Sequence, residues 1–379
     1  MSKVSLVECK NYDMDYVSKG IDETFNNLGG INKFINPGDK VFLKLNLVMK
    51  KNPEDAATTH PAIVEAVAKK LIGAGAKVII GDSPGGPYNK VILQSLYRAC
   101  GIEAAAKQSG AELNYDCSSE EYNHSEAVAV KRLTLIKPMM DCDKIITLSK
   151  LKTHGMVLYT GAVKVMFGAI PGVLKAEYHY KMPDIKNFSN MLVDICTLTK
   201  PVLSIIDGIY GMEGEGPTAG APIHSGILIA SENPYEADVS GAYLIGVNPL
   251  DVPTIQRCRE RNIVSGNIKD IEVIGVNLDD MRKRYKVPDI RTVNFSGKIP
   301  KPLERLMSRH VLPRPVFSQE VCIGCSNCKQ SCPPGAITME NGRPRVDLYK
   351  CIRCFCCQEL CPHKAIEIKR PWILRKLVK

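Results

Sequence analysis

The chain has 379 residues, 45% of them hydrophobic, with 50 Lys and Arg against 40 Asp and Glu and with 15 cysteines. That length accommodates a sizeable core or two lobes, and the opening MSKVSLVECKNYDMDY puts charges where a secretory leader needs an apolar stretch. No run of about 18 apolar residues is present to span a bilayer, so secretion and membrane crossing are not expected, and neither is a nucleic-acid partner.

Residues 1 to 296 balance 34 basic against 34 acidic side chains and read as alternating strands and helices. Pro37 to Val48 is an apolar run bounded by a turn. Thr59 to Ala74 sets a threonine ahead of Pro61, then Ile63, Val64, Val67, Ala68 and Leu71 at helical spacing. A strand follows at 76 to 82, a helix near 89 to 100, a strand at Lys144 to Leu148, a helix at Ile185 to Leu198, and strands at Pro201 to Ile206 and Gly226 to Ala230. This alternation predicts an α/β fold, a largely parallel sheet with flanking helices in one or two lobes. Chemistry in such folds gathers in loops beyond the carboxyl ends of the strands.

Those loops carry the unusual residues. After VIIG come Asp82 and SPGGP, in which Gly85 and Gly86 let a backbone approach phosphate or nucleotide and Asp82 is free to bind a hydroxyl or cation; an ordinary tight turn is the plainer reading. After IITL comes SKLKTHG, where Lys150, Lys152 and His154 stand two apart, so an extended chain points all three to one side. Such groups are costly to bury together and point to an anionic ligand. Further on stand Lys164, then Lys175 and His179 at i and i+4, and then Asp207, Glu213, Glu215 and His224 in a glycine-rich stretch too long to be mere connection. Singly, each reads as a surface lysine or a satisfied histidine; their recurrence after successive strands is the signal. Lys152, His154, Lys164 and His179 are the catalytic candidates, lysine holding charge and histidine exchanging protons. Asp82, Gly85, Gly86, Lys150, Lys175, Asp207 and His60 are candidates for holding a further, unidentified cofactor.

Charge marks the next boundary. Residues 297 to 317, GKIPKPLERLMSRHVLPRPVF, carry +4 and four prolines and read as a linker. The tail from Lys364 carries +5, and residues 370 to 379 form a basic amphipathic end holding the only tryptophan, Trp372. Such a collar suits an acidic redox partner or an anionic membrane surface. A solvated basic face explains the charge equally well, and two turns of helix anchor only marginally.

Between linker and tail, at 318 to 369, one spacing occurs twice: Cys322-x2-Cys325-x2-Cys328-x3-Cys332-Pro333 and Cys351-x2-Cys354-x2-Cys357-x3-Cys361-Pro362. Three thiolates at intervals of three curl around one face of a cubane cluster, and the fourth, before proline, is aimed at the other cluster. The spacing therefore assigns Cys322, Cys325, Cys328 and Cys361 to one [4Fe-4S] cluster and Cys351, Cys354, Cys357 and Cys332 to a second. Cys356 adds a thiol with no place in the pattern, and reads as a spectator before a spare ligand. The other six cysteines show no pairing rhythm, as expected of buried free thiols in the cytoplasm.

These motifs resemble the bacterial-type two-cluster ferredoxin module. The set THP (59 to 61), GDSPGG (81 to 86), KLKTH (150 to 154), TGAVK (160 to 164) and GEGP (214 to 217), followed by that module, is similar to the domain-of-unknown-function family numbered 362, iron-sulfur proteins of anaerobic bacteria and archaea. The motif order also bears a distant likeness to nickel-pincer lactate racemases, with no residue assignment attached. The expectation is an iron-sulfur oxidoreductase relaying electrons to an anionic small molecule or second cofactor. An electron carrier or cofactor-assembly protein, and an isomerase with accessory clusters, are the alternatives.

Overall fold

The chain opens with strand Lys3–Glu8 (β1) and helix Met14–Asn27 (α1), whose first turn is capped by Asp13 accepting from the Asp15 amide. Strand Lys40–Lys44 (β2) leads to helix Pro61–Gly73 (α2). Pro61 suits the first turn of α2 because its missing N–H has no intrahelical partner there. The cap is His60 rather than the preceding threonine: its Nδ1 accepts from the Ala62 amide at 3.2 Å, while Thr59 donates to the Leu148 carbonyl at 2.6 Å. The periodic residues Ile63, Val64, Val67, Ala68 and Leu71 are all fully buried, each large aliphatic side chain contributing about 1.5–3 kcal/mol.

Strand Lys77–Gly81 (β3), helices Lys90–Ala99 (α3) and Ile102–Ser109 (α4) and strand Glu112–Leu113 (β4) complete one side. A separate hairpin, Ser119–Asn123 (β5) with Arg132–Ile136 (β6), precedes helix Lys137–Met140 (α5). Then come strands Lys144–His154 (β7) and Leu158–Thr160 (β8), helices Ala162–Val165 (α6), Leu174–Lys181 (α7) and Ile185–Thr199 (α8), and strands Leu203–Glu213 (β9) and Ala221–Ser231 (β10). Helices Pro234–Leu244 (α9) and Pro253–Glu260 (α10) and strand Glu272–Gly275 (β11) follow.

The sheet order is β11-β1-β10-β9-β7-β2-β3-β4, with β8 paired to β7. From β9 to β4 all pairings are parallel, while β10 is antiparallel to both β9 and β1. The α/β expectation holds, with the antiparallel β10 making the sheet mixed. Three strands run longer than their apolar runs. Lys150, Lys152 and His154 are inside β7, Asp207 and Glu213 inside β9, and His224 inside β10, so the long glycine-rich loop shrinks to residues 214–220. The reason is that Lys150 faces Asp207 across the β7–β9 ladder; charges that satisfy each other let a strand continue where an apolar run ends.

The computed structural model describes residues 3–288 and 312–370, so Trp372 and most of the expected linker lie outside the described residues. Two compact units emerge, one of Met1–Lys175 with Ile185–Pro288, the other of Ala176–Asp184 with Asp289–Lys379. In the second, strand Arg314–Phe317 (β12) pairs antiparallel with Ile366–Lys369 (β15), and Ile337–Glu340 (β13) with Arg343–Val346 (β14). Residues 314–317, which the sequence assigned to the linker, form strand β12. The core is small, built on Cys328, Ile337, Cys357 and Ile366, and a domain of this size needs staples besides apolar burial. Among the described residues no helix is long and apolar enough to cross a membrane.

Candidate functional site

At the carboxyl ends of the parallel strands the first unit buries Lys44, Lys150 and Lys152, and it also buries Lys175 of α7. Lys44, the last residue of β2, pairs with Asp82 just past β3 at 2.6 Å and donates to the carbonyls of Leu45 and Val165. Asp82 accepts in addition from the amides of Leu47 and Ser83. Asp82 is therefore not free for a hydroxyl or cation, as the sequence suggested, but spent inside the protein. A Cβ at Gly168 would collide with both Lys44 Nζ and Asp82 Oδ1, so only glycine lets the chain pass over this pair.

The second node is Lys150 with Asp207, 2.6 Å apart and both fully buried. Tyr12 OH donates to Asp207 Oδ1 at 2.9 Å and accepts from Lys150 Nζ at 2.8 Å. Its ring stacks on His60, centroids 3.4 Å apart and planes within 5°. Burial lowers the pKa of both lysines, while Asp82 and Asp207 oppose that shift. Burial likewise pushes His60 down to about 4, with Asp207 pulling the other way, so its ring is neutral at neutral pH. Burial, then Asp207, raises Tyr12 well above its ordinary range and holds the phenol protonated.

Between the nodes, Lys152 Nζ donates to Asn46 Oδ1 at 2.7 Å and to the Ala57 carbonyl at 2.8 Å. Lys175 Nζ donates to Ser83 Oγ at 3.0 Å and to the carbonyls of Pro84 and Ile170. Burial lowers Lys175 to about 7, with Asp82 opposing and Lys44 and Lys164 reinforcing. Lys175 thus changes charge near neutrality, a role the sequence reading gave to histidine. His154 is buried, its Nδ1 accepting from the Met156 amide at 3.0 Å. Lys164, in α6, lies 4.7 Å from the centroid of the Phe167 ring. His179 is buried in α7, four residues beyond Lys175, in the stretch that falls with the second unit.

Lys150, Asp207 and His60 are brought together, as are Asp82 and Lys175 through Ser83. Gly85 and Gly86 lie in a bend in which neither takes a positive φ, and the Gly85 amide donates to the Val48 carbonyl at 3.0 Å. Glu213 accepts from the Lys286 amide; the exposed His224 ring contacts the Lys10 carbonyl and packs 4.8 Å from the Tyr210 ring, which itself lies 6.0 Å from the Tyr12 ring of the Lys150 node. Sequence reasoning missed Tyr12, Asn46 and Ser83; a lone tyrosine ahead of a helix carries no signal of a partner 195 positions away.

In the second unit two cavities stand out. One is lined by Cys322, Cys325, Cys328 and Cys361; the other by Cys332, Cys351, Cys354 and Cys357. Each set is completed by the fourth cysteine of the opposite motif. Among the described residues no three His, Cys, Asp or Glu side chains stand close enough to ligate one ion. Four thiols lining one cavity match the ligand set of a multi-iron cage.

Residues 41–243 match the family described as Domain of unknown function (DUF362), and residues 314–362 match a 4Fe-4S dicluster domain. The chain belongs to the DUF362 family. This DUF362 protein is 33% identical over 261 residues to the thylakoid-associated protein sll1697 of Synechocystis sp., covering 67% of this chain and 78% of that one. It is also similar to the lactate racemase apoprotein from Thermoanaerobacterium thermosaccharolyticum at a TM-score of 0.35 and 12% identity, covering 54% of this chain and spanning half of that one. The two-cluster ferredoxin module expected from the cysteines is present, and this is an iron-sulfur protein.

Proposed function

We propose that this DUF362 protein is an oxidoreductase whose second unit carries two [4Fe-4S] clusters, on the two interlocked cysteine sets, and passes electrons to an anionic substrate or second cofactor held by the first unit. The observation that carries the redox class is the lining of each ferredoxin cavity by one complete set of four cysteines. When bound, the clusters supply one-electron transfer. The chain's own residues do the rest. Lys152 and Lys164 hold the negative charge of the ligand, while Asp82 and Asp207 keep Lys44 and Lys150 charged in a buried setting. Lys175, poised near neutrality, exchanges the proton that accompanies reduction, with His154 as a second proton group.

The reducing compartment implied by the free thiols Cys9, Cys100, Cys117, Cys142, Cys196 and Cys258 supports a cytoplasmic setting. The basic surplus of linker and tail suits docking to an acidic redox partner, weakening as salt rises.

The test is anaerobic purification with iron and sulfide analysis, followed by mass spectrometry of small molecules released on denaturation. About eight iron per chain with a released organic anion, retained less by Lys152→Met at unchanged iron content, is the expected result. A full iron complement with no anion released from the wild type would overturn the binding role of the first unit.

A further inference from the structure

His60 has no part in holding charge or moving protons, yet its ring is fixed in tautomer and in plane. Its Nδ1 accepts from the Ala62 amide at 3.2 Å as it caps α2. A ring nitrogen that accepts carries no proton, so the proton of the neutral imidazole sits on Nε2. One face of the ring stacks on Tyr12, planes within 5°, and Tyr12 OH is itself held by Asp207, Lys150 and the Tyr210 amide. The His60 backbone is tied down as well, its amide donating to Asp207 Oδ2 at 3.4 Å.

The protein makes no use of the N–H so prepared. Nε2 has no acceptor among the described residues, and it is not one of the enclosed polar atoms that lack a partner, so it opens to solvent from a partly buried ring. Burial above all, with Lys150 in the same sense and Asp207 against, keeps that ring neutral. The segment from Ala57 to His60 links this donor to Lys152, whose Nζ donates to the Ala57 carbonyl at 2.8 Å. Three residues of chain span at most about 10 Å, within the reach of one small ligand.

We propose that His60 Nε2–H donates a hydrogen bond to a carboxylate or phosphate oxygen of the ligand in the first unit, orienting that ligand without exchanging a proton with it. This rests on the reading that the first unit holds an anion beside Lys152. A neutral donor locked in place polarises an oxygen with no reorganisation at the moment of reaction, whereas a further cation beside Lys150 and Lys152 would be costly to bury. Proton exchange is left to Lys175 and His154. His60 therefore does for the ligand what the sequence gives no hint of, acting as a fixed donor where histidine is usually read as a proton shuttle.

The experiment is calorimetric titration of the full chain, purified anaerobically, with oxalate and separately with inorganic phosphate, on the wild type and on His60→Asn. Asparagine is a good helix cap but too short to carry a donor to where Nε2 stands, so it separates capping from ligand contact. His60→Asn should unfold at the wild-type urea midpoint, yet bind the probe that the wild type prefers about 10-fold or more weakly, the loss expected for one hydrogen bond to a charged group. Preference for oxalate identifies a carboxylate ligand, preference for phosphate a phosphate. A second readout does not depend on the variant's stability. With histidine labelled by nitrogen-15, one of the seven histidines should show the neutral Nε2–H form at about pH 5.5, below the ordinary histidine pKa, its Nε2 resonance moving when the bound probe is added and missing in His60→Asn. Equal affinity in wild type and His60→Asn, or an imidazolium at His60 at that pH, would overturn this inference and leave the anion site standing. Binding of neither probe to the wild type would overturn the anion site and this inference with it.

Discussion

Replacing Asp207 by alanine tests whether the buried lysine network holds the first unit together. The carboxylate and Lys150 Nζ are 2.6 Å apart with no solvent exposure on either side chain, so removing one partner strands a charge in a medium that solvates it poorly. Breaking a buried pair this way costs about 3–5 kcal/mol, a fifth or more of the about 5–15 kcal/mol typical of a domain. Lys150 escapes part of that cost by shedding its proton, which burial already favours. The amide of Ile209 and the hydroxyl of Tyr12 also lose an acceptor. The informative comparison is with the double variant Lys150→Met, Asp207→Leu, which removes both charges and keeps the volume apolar; it should lose less than about 2 kcal/mol, and so less than the single variant. The assay is urea unfolding by far-UV circular dichroism under anaerobic conditions, with cluster absorbance reporting separately on the second unit. If Asp207→Ala cost less than about 1 kcal/mol, or if the double variant were as damaged as the single, the pair would not be the buried linchpin its geometry implies.

Lys175 should make stability depend on pH. With a folded pKa of about 7 against the ordinary 10.5, the unfolded chain binds more protons between those values, so stability rises with pH from about 7 towards 10.5 and is lowest below 7, by up to about 4–5 kcal/mol. Lys175→Met should flatten that slope in unfolding curves taken across the window; an unchanged slope would assign it to other groups. Gly168→Ala should cost about 1–3 kcal/mol by pushing into the Lys44–Asp82 pair, and a variant as stable as wild type would mean that this segment shifts freely. Cys332→Ser should disturb the cluster of Cys351, Cys354 and Cys357 and spare that of its own neighbours. Resonance spectra showing the opposite loss would undo the interlocked assignment.

How much of this was legible in the sequence depends on how far apart the partners stand along the chain. The ferredoxin code is local: the cysteines of each motif fall within about a dozen positions, proline marks the fourth, and the crossed assignment is repeated in the linings of the two cavities. Helices α2, α3 and α8 were read to within two residues from apolar spacing, which is also local. The strand ends were not. Lys150 and Asp207 are 57 positions apart, Lys44 and Asp82 are 38, and nothing in either neighbourhood says that these charges neutralise each other. An apolar-run criterion therefore stops β7 and β9 short and hands their last residues to loops. The same blindness made Asp82 look available when two amides and an ammonium already hold it.

Burial of the lysines sets the chemistry open to the first unit. Had the lysines lain in mobile loops, they would be ordinary exposed cations with ordinary affinities for protons. Held inside strands and beneath helices, they act in a low-dielectric setting where charge is expensive, and the protein has spent Asp82 and Asp207 on two of them. Lys175 is satisfied instead by one hydroxyl and two carbonyl oxygens. Neutral acceptors solvate an ammonium without fixing its charge, and in the proposed function Lys175 is therefore the group placed to exchange a proton near neutrality.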